Sequence, residues 1–494
     1  MPKLEAPKSG VIVRMYRIGH GDCFLLTFPK KNDKPFFMLI DCGLKSGSEV
    51  PGGPDLEEVV QDIHETTDGF IDLVVITHEH EDHVNGFWRG EDEIPFKDIK
   101  IGAVWLAWTE DPDDDDANDL RERYEDTLLN LVKVSQELKQ AGVTESLQFR
   151  ETLLDLLGFE LGADTPDNFG ADKISGITNK QAIQYIRHKA KNGVHFLEPH
   201  QQIYDLPNVA GVKVYPLGPP KNENLLLSLD PHQNEAYSQR FQIDAVSTAF
   251  FSALGNEEDD PSLAETFQPF APRYRIPQEE VLKEKKVPYS DFFAEYLHKK
   301  NDWRRIDGDW LAAAEMLALR LNSEVNNTSL VLAIELPKTK KVLLFTGDAQ
   351  RGNWISWTDG TWQQDDGSEV TAKELLSRTV LYKVGHHGSH NATLKGTANS
   401  DYANLQWMGQ GQYKSEFVAM IPANKGWAYG KSRPWKHPLK SIERALERKT
   451  KGRLFRTDQD KLTKPEEVEE ATWKQFMKQV EETRLYLQYH VEDK

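Results

Sequence analysis

The sequence predicts an α/β protein, and three patterns predict it. Apolar, β-branched runs of strand length recur, with Ile71-Asp72-Leu73-Val74-Val75-Ile76 the clearest. Stretches with helical periodicity, at 120–141, 180–192 and 309–321, lie between them. Several strand runs end in acids or histidines, which delivers those side chains to a sheet edge where a ligand can reach them.

Taken in order, residues 10–105 read as a run of strands, including 18–26, 37–43 and 71–76. An acidic segment at 109–119 opens the first long helix, whose Leu128, Leu129, Leu131, Val132, Val134 and Leu138 lie on or near one face. Its Asp113 to Asp116 run lacks the spacing and glycine of a calcium loop and reads as a solvated segment. A helix at 180–192 precedes a strand at 212–217, closed by Gly218-Pro219-Pro220. Residues 221–325 carry helices at 289–299 and 309–321, an acidic cluster at 257–260, and a tryptophan-flanked turn holding Arg304 and Arg305. Beyond them come a strand run at 342–348 that ends in an acid, another at 381–389 that ends in histidines, strands at 417–422 and 453–458, a helix at 439–449, and a closing helix and strand at the end of the chain.

Bulk composition sets bounds. Hydrophobic content of 38% with 12 Trp and 22 Phe supports a substantial core. Apolar runs are strand-sized, so no membrane span is expected, and residues 1–8 lack the apolar stretch of an export signal. The two cysteines, Cys23 and Cys42, fall in expected strands and imply no disulfide framework, which fits a cytoplasmic location. A net charge of −19 argues against a basic coat for gripping duplex DNA. A confined basic stretch exists at 425–453, with Trp427, Tyr429 and Trp435 interleaved in its first half. It reads either as a stacking groove for single strands or as an amphipathic helix with a solvated basic face.

The stretch Thr77-His78-Glu79-His80-Glu81-Asp82-His83 is the centre of the functional reading. In extended backbone His78 and His80 point to one side and can share an ion, while Asp82 and His83 on the following turn can swing to a second. Imidazole suits zinc, manganese or iron, and carboxylate widens the choice towards manganese. No Gly-x-Ser-x-Gly elbow is present for a serine nucleophile.

His-x-His-x-Asp-His after an apolar strand resembles the metallo-β-lactamase-fold hydrolases. The set Gly19-His20-Gly21-Asp22, Asn326-Asn327-Thr328-Ser329-Leu330-Val331-Leu332, Thr346-Gly347-Asp348 and His386-His387-Gly388-Ser389 is similar to the hydrolase domain of bacterial competence DNA-uptake channels and its soluble relatives. The resemblance covers roughly residues 10–105, 205–220 and 325–460. It implies an αββα sandwich with the first half at 1–105, a helical insertion at 106–205, a return strand at 206–220, a helical cap at 221–322 and the second half at 323–494. It also implies two divalent ions, zinc or manganese with magnesium as a further candidate. His78 and His80 would hold the first, Asp82 and His83 the second, with Asp348 bridging. His387 is favoured over His386 to complete the second site, which leaves His386 facing the substrate. His437, in a His-Pro pair, matches a structural position of the competence-type domains.

One departure stands out. The superfamily places a further histidine where this chain has Asn326, an amide oxygen being a weaker and harder ligand. Asn326 then either ligates the first ion or, with Asn327, caps a turn before the strand; His195 or His200 could also fill the gap. Lys383 would approach a phosphate if it points to the open edge, and is otherwise a solvated strand lysine.

The expected activity is metal-dependent phosphodiester hydrolysis by metal-activated hydroxide, on nucleic acid or a nucleotide-like substrate, with Asp82, His386 and Lys383 as catalytic candidates. The alternatives are a small-molecule phosphodiesterase, or a gated subunit of a larger assembly such as an anti-phage one, with a protein partner and a regulatory metal centre. The sequence leaves oligomeric state open.

Overall fold

The strand and helix runs sort into two large mixed sheets whose outer faces are covered by helices. The structure is a computed structural model. It describes residues 4–141, 144–162, 164–169, 177–232, 234–237, 290–296, 298, 300–301, 309–364, 366–430 and 435–494. The acidic cluster at 257–260, the turn holding Arg304 and Arg305, and the basic residues Lys431 and Arg433 lie outside the described residues.

The first sheet has eight strands in the order β16 (Val480–Glu482), β17 (Tyr486–Val491), β1 (Val11–Tyr16), β2 (Cys23–Pro29), β3 (Pro35–Cys42), β4 (Phe70–Val75), β5 (Lys100–Ala107) and β6 (Val194–Leu197). The second has seven, in the order β15 (Leu454–Arg456), β14 (Val418–Ile421), β13 (Thr379–Lys383), β10 (Val342–Phe345), β9 (Val331–Glu335), β8 (Lys213–Gly218) and β7 (Tyr204–Asp205). A small ribbon pairs β11 (Thr361–Gln363) with β12 (Glu369–Thr371).

Most of these strands are buried on both faces, which is why they read as continuous apolar runs. Alternation assigns the faces. In β3, Met38 and Ile40 join the core shared by both sheets, while Phe37 and Leu39 pack outward. In β9, Leu332 and Ile334 enter the shared core, and Val331 and Ala333 face the other way. Phe24 meets Phe345 edge-on across the shared core, with ring centroids 5.5 Å apart. Helix Leu56–Thr67 covers the outside of the first sheet with Leu56, Val59, Val60 and Ile63. Asp55 and Glu58 start that helix with a reciprocal cap. Helix Lys440–Thr450 covers the second sheet with Ile442, Ala445 and Leu446.

Compactness divides the chain into two units. The first takes Met1–Glu125, Gly158–Arg240 and Asn322–Lys494 and holds both sheets. The second takes Asp126–Leu157 and Phe241–Leu321, within the expected insertions. Its described elements are helical, and Arg150 Nε donates to Ser135 O there at 3.0 Å. No described helix is long and apolar enough to cross a membrane. Helix Asp309–Asn327 runs six residues past the end expected from periodicity, so Asn326 and Asn327 finish a helix rather than open a strand.

Parallel pairing sets where chemistry can sit. β3, β4 and β5 run parallel in one sheet, and β10, β13, β14 and β15 in the other. The segments that follow β3, β4, β10, β13 and β14 supply Gly43, His78 to His83, Asp348, His386 with His387, and Pro422. Ligand sites in open α/β sheets form outside such carboxyl ends. Close backbone approach completes the arrangement. Asp22 N donates to Asp82 O and Gly43 N to Asp22 O, both at 2.9 Å. A Cβ on Gly43 would lie 2.5 Å from His83 N, and one on Gly21 would lie 2.8 Å from Asp82 O.

Gly43→Ala therefore should push the Asp82-His83 turn away. The expected cost is about 1–3 kcal/mol, read as a lower unfolding temperature together with loss of bound metal after gel filtration. Gly430→Ala, which meets nothing within 4 Å, should change neither.

Candidate metal centre

The cluster predicted from β4 is buried at the junction of the two sheets. His78, His80, Asp82, His83, Asp348 and His387 are each 2% exposed or less. Among the described residues, Asp22, His83, Asp348 and His387 offer ligand atoms within 4.8 Å of one another, and this group could hold a metal ion.

Hydrogen bonds fix the direction of each ring. His387 Nδ1 lies 2.7 Å from the Pro422 carbonyl, an acceptor only, so Nδ1 carries a proton and Nε2 points inward. That Nε2 is 2.8 Å from Asp82 Oδ2 and 3.4 Å from Asp348 Oδ2. His83 Nδ1 meets Asp41 Oδ2 at 2.8 Å, and its Nε2 lies 3.5 Å from Asp348 Oδ2. Asp41 is itself held by Thr77, whose backbone N–H and hydroxyl donate at 2.8 and 2.7 Å. Asp348 is anchored by Ser329 Oγ on its backbone N–H and by His386 N–H on Oδ1.

Asp41, His386 and His387 have φ of 55°, 43° and 51°, left-handed backbone that is uncommon outside glycine and that Asp and His tolerate better than most residues. Strained backbone of this kind collects at functional sites, where the surroundings over-determine it.

Charge concentrates here. Burial works against a charged His83, yet Asp22, Asp348, Asp41 and Asp82 hold its pKa well above the ordinary value. His387 is raised against burial by Asp348 and Asp82. Burial would raise Asp82, but His83 and His387 hold it at about 2. Asp348 is likewise held low, against burial, by His387, Lys383 and His83. His83 Nε2, Asp82 Oδ1 and Asp22 Oδ1 are buried with no hydrogen-bond partner among the described residues. A buried nitrogen lone pair facing carboxylates needs either a proton or a cation, so the donor set fits a divalent ion.

His78 and His80, expected to hold a first ion, are arranged differently. His78 Nε2 and His80 Nδ1 face each other at 3.1 Å. Two nitrogens at about 2.0–2.1 Å from one ion sit about 3 Å apart at ordinary bond angles. Asn326 Oδ1 is buried without a partner, while its Nδ2 reaches His386 Nε2 and Asn322 Oδ1, both at 3.3 Å. Asn327 instead braces the fold, donating to Leu226 O and accepting from Gln350 N and Asn353 Nδ2. His195 is exposed on β6, and the His200 ring packs on Trp362 at 5.0 Å, so neither fills the position of Asn326.

Lys383 departs from both sequence readings. It neither reaches the open edge nor lies in solvent, because its side chain is 1% exposed. It binds Asp22 Oδ2 at 2.5 Å, Gly347 O at 2.7 Å and Asp348 Oδ1 at 3.2 Å. Against burial, those two carboxylates push its pKa up. The aromatic residues of the basic stretch also turn inward. Trp427 lies 5.0 Å from His20, and Trp435 lies 5.1 Å from Phe159. Tyr429 donates its hydroxyl to Pro438 O at 2.9 Å. The helix reading of 439–449 holds, with Lys440 and Arg444 exposed.

Three members of the site are not singled out as ligands or orienting groups by the sequence: Asp22, Asp41 and Glu160. Asp22 closes the Gly-x-Gly-Asp motif, and Asp41 ends an apolar strand in an acid, so both carry a readable signal. Glu160 lies in helix Thr144–Leu161 and accepts from His80 Nε2 at 3.0 Å; nothing local marks it. No protein-family model matches this chain, and a search of curated proteins finds no match either.

A cation entering this group must displace protons from His83 and His387, whose pKa values are raised from 6.5. Metal uptake should therefore release protons, and affinity should fall as pH is lowered from about 8 towards 6. Calorimetry of Zn²⁺ or Mn²⁺ binding in two buffers of different ionisation enthalpy measures this. Uptake without proton release would place the ion elsewhere.

Proposed function

We propose that this chain is a metallo-β-lactamase-fold hydrolase, similar to the hydrolase domain of competence DNA-uptake channels, and that it cleaves phosphodiesters with two divalent ions. The observation that carries the proposal is the meeting of His78, His80, Asp82, His83, Asp348 and His387 at the carboxyl ends of strands from two sheets. Zinc or manganese suits the mixed imidazole and carboxylate donors, with magnesium a further candidate. Divalent cations there would supply Lewis acidity, which acidifies water and neutralises charge developing on a phosphoryl group.

The protein's own residues have distinct parts in this reading. Asp41 and the Pro422 carbonyl aim His83 and His387 inward. Asp348, fixed through Ser329 and Lys383, lies between them. Lys383 is a structural countercharge for Asp22 and Asp348 rather than a substrate contact. His386, which adjoins the group, is partly exposed. Desolvation lowers its pKa to about 4, so it is neutral near pH 7. The Asn326 amide donates to its Nε2, which places the ring proton on Nδ1, and that N–H has no partner among the described residues. It is suited to donate to a phosphoryl oxygen as charge builds there.

A second reading, a small-molecule phosphodiesterase, is favoured by one observation: the ligand set is buried, and the adjoining His386, which is not one of its members, meets solvent in part.

The test is hydrolysis of bis-p-nitrophenyl phosphate and of single-stranded DNA with Mn²⁺, Zn²⁺ and Mg²⁺ in turn. Cleavage of both, abolished by Asp82→Ala in a folded protein, is expected. Cleavage of the small ester alone would transfer the assignment to a metabolite phosphodiesterase. Silence with metal bound would favour a gated subunit. Lys440→Glu with Arg444→Glu should weaken DNA cleavage severalfold and spare the small ester; equal loss on both would remove that helix from substrate binding.

A further inference from the structure

We propose that Glu160 is the positioning residue of the His78/His80 metal site: its carboxylate accepts the Nε2 proton of His80 and so reserves Nδ1 for a cation. The inference rests on the metal reading given above and adds a residue to it from outside the segments that carry the sequence resemblance.

The geometry of Glu160 is that of an orienting group. Its side chain is 1% exposed, and Oε1 lies 3.0 Å from His80 Nε2. Asn322 Nδ2 donates to the same oxygen at 3.2 Å, and the Tyr124 hydroxyl donates to Oε2. Both oxygens are thus occupied by donors, which leaves the carboxylate as an acceptor for the ring rather than a ligand. A carboxylate accepts only, so the His80 proton sits on Nε2 and the Nδ1 lone pair is free.

The neighbouring ring, His78, has two hydroxyls at Nδ1, Thr77 Oγ1 at 3.1 Å and Ser329 Oγ at 3.2 Å. The Thr77 hydroxyl commits its proton to Asp41 Oδ2 at 2.7 Å, which leaves its oxygen able to accept from that nitrogen. With the ring proton on Nδ1, His78 Nε2 would turn a lone pair towards His80 Nδ1, 3.1 Å away, an arrangement that a cation would stabilise.

The need for it follows from Asn326. Where a third imidazole is expected, the site offers only the unpartnered amide oxygen of Asn326. Two imidazoles and an amide bind weakly, so the orientation and basicity of His80 count for more. A carboxylate on the remote ring nitrogen supplies both. Phe159 reinforces the position, with its ring 6.0 Å from that of His80 and 5.1 Å from that of Trp435.

The experiment uses the full chain, stripped of metal and titrated with Mn²⁺ and Zn²⁺ by calorimetry, with Co²⁺ absorption as a second readout. Wild type should show two classes of site, one of which His78→Ala removes. Glu160→Gln, which keeps the shape, should weaken that same class about 10–100-fold and leave the other within about twofold. It should also alter the Co²⁺ visible bands of that class. Glu160→Asp should recover part of the affinity, and serves as the test if Glu160→Gln does not fold. Unchanged affinities with a lowered unfolding temperature would make Glu160 a structural anchor and overturn the proposal while leaving the metal reading intact. Equal weakening of both classes would overturn it as well. A wild type with a single class untouched by His78→Ala would remove the His78/His80 site itself, and the proposal with it.

Discussion

The architecture of the centre depends on one electrostatic constraint: several carboxylates are buried together and must be balanced. Asp22, Asp41, Asp82 and Asp348 are each at most 1% exposed. Taking a carboxylate out of water costs several kcal/mol even after relaxation, so each needs a partner. Lys383 supplies one permanent positive charge, shared between Asp22 and Asp348. His83 and His387, imidazoles of raised pKa, supply two more, which leaves three positive charges against four carboxylates, and burial pushes Asp22 up to about 6. A proton on such a ring and a metal ion on the same nitrogen are alternative solutions to the same imbalance. That equivalence is why a buried histidine–carboxylate group reads as a cation site from its own geometry.

The balance is possible only because two sheets end at the same place. β4 brings His78 to His83, β10 brings Asp348, and β13 brings His386 and His387. Each segment leaves the carboxyl end of a parallel strand, so its residues need no long excursion to meet. The glycines at 21 and 43 allow the Asp22 segment and the end of β3 to touch the Glu81–Val84 turn through backbone. Strands and turns, rather than mobile loops, therefore set ligand positions, as sites held to fractions of an ångström require.

Legibility in the sequence followed locality. The His-x-His-x-Asp-His run, Thr-Gly-Asp and His-His-Gly-Ser were readable because each is a short segment at the end of an apolar strand. The strands themselves were readable from composition, since burial on both faces leaves few polar positions. Lys383 was misread for a physical reason: alternation places its side chain on one face, but cannot say that Asp22, more than 300 residues away in the chain, waits there. Asn326 was expected beside a strand and ends a helix, whose last turns bury polar Asn322, Asn326 and Asn327 and so carry no apolar period to read. Glu160 was illegible altogether. A glutamate in a helix has no distinguishing pattern, and its meaning comes only from the ring it meets 80 positions away.

The same distinction bears on how substrate meets the site. Of the two sequence readings of the basic stretch, a stacking groove or an amphipathic helix with a solvated face, the first would turn Trp427 and Trp435 outward, yet both rings pack towards His20, Phe159 and His437. The His20, His386, His387 and His437 rings form one contiguous group, with centroids 4.1 Å apart for His20 and His387 and 5.2 Å for His386 and His437. The tryptophans wall this group and lower its polarity. Burial accordingly drives His20, His386 and His437 to their neutral forms, with their neighbours' rings adding to the effect at His20 and His437. Neutral imidazoles beside the candidate metal group offer hydrogen-bond donors without adding positive charge. The tryptophans thus pack beside these rings, and the exposed cations of the basic stretch lie instead on helix Lys440–Thr450.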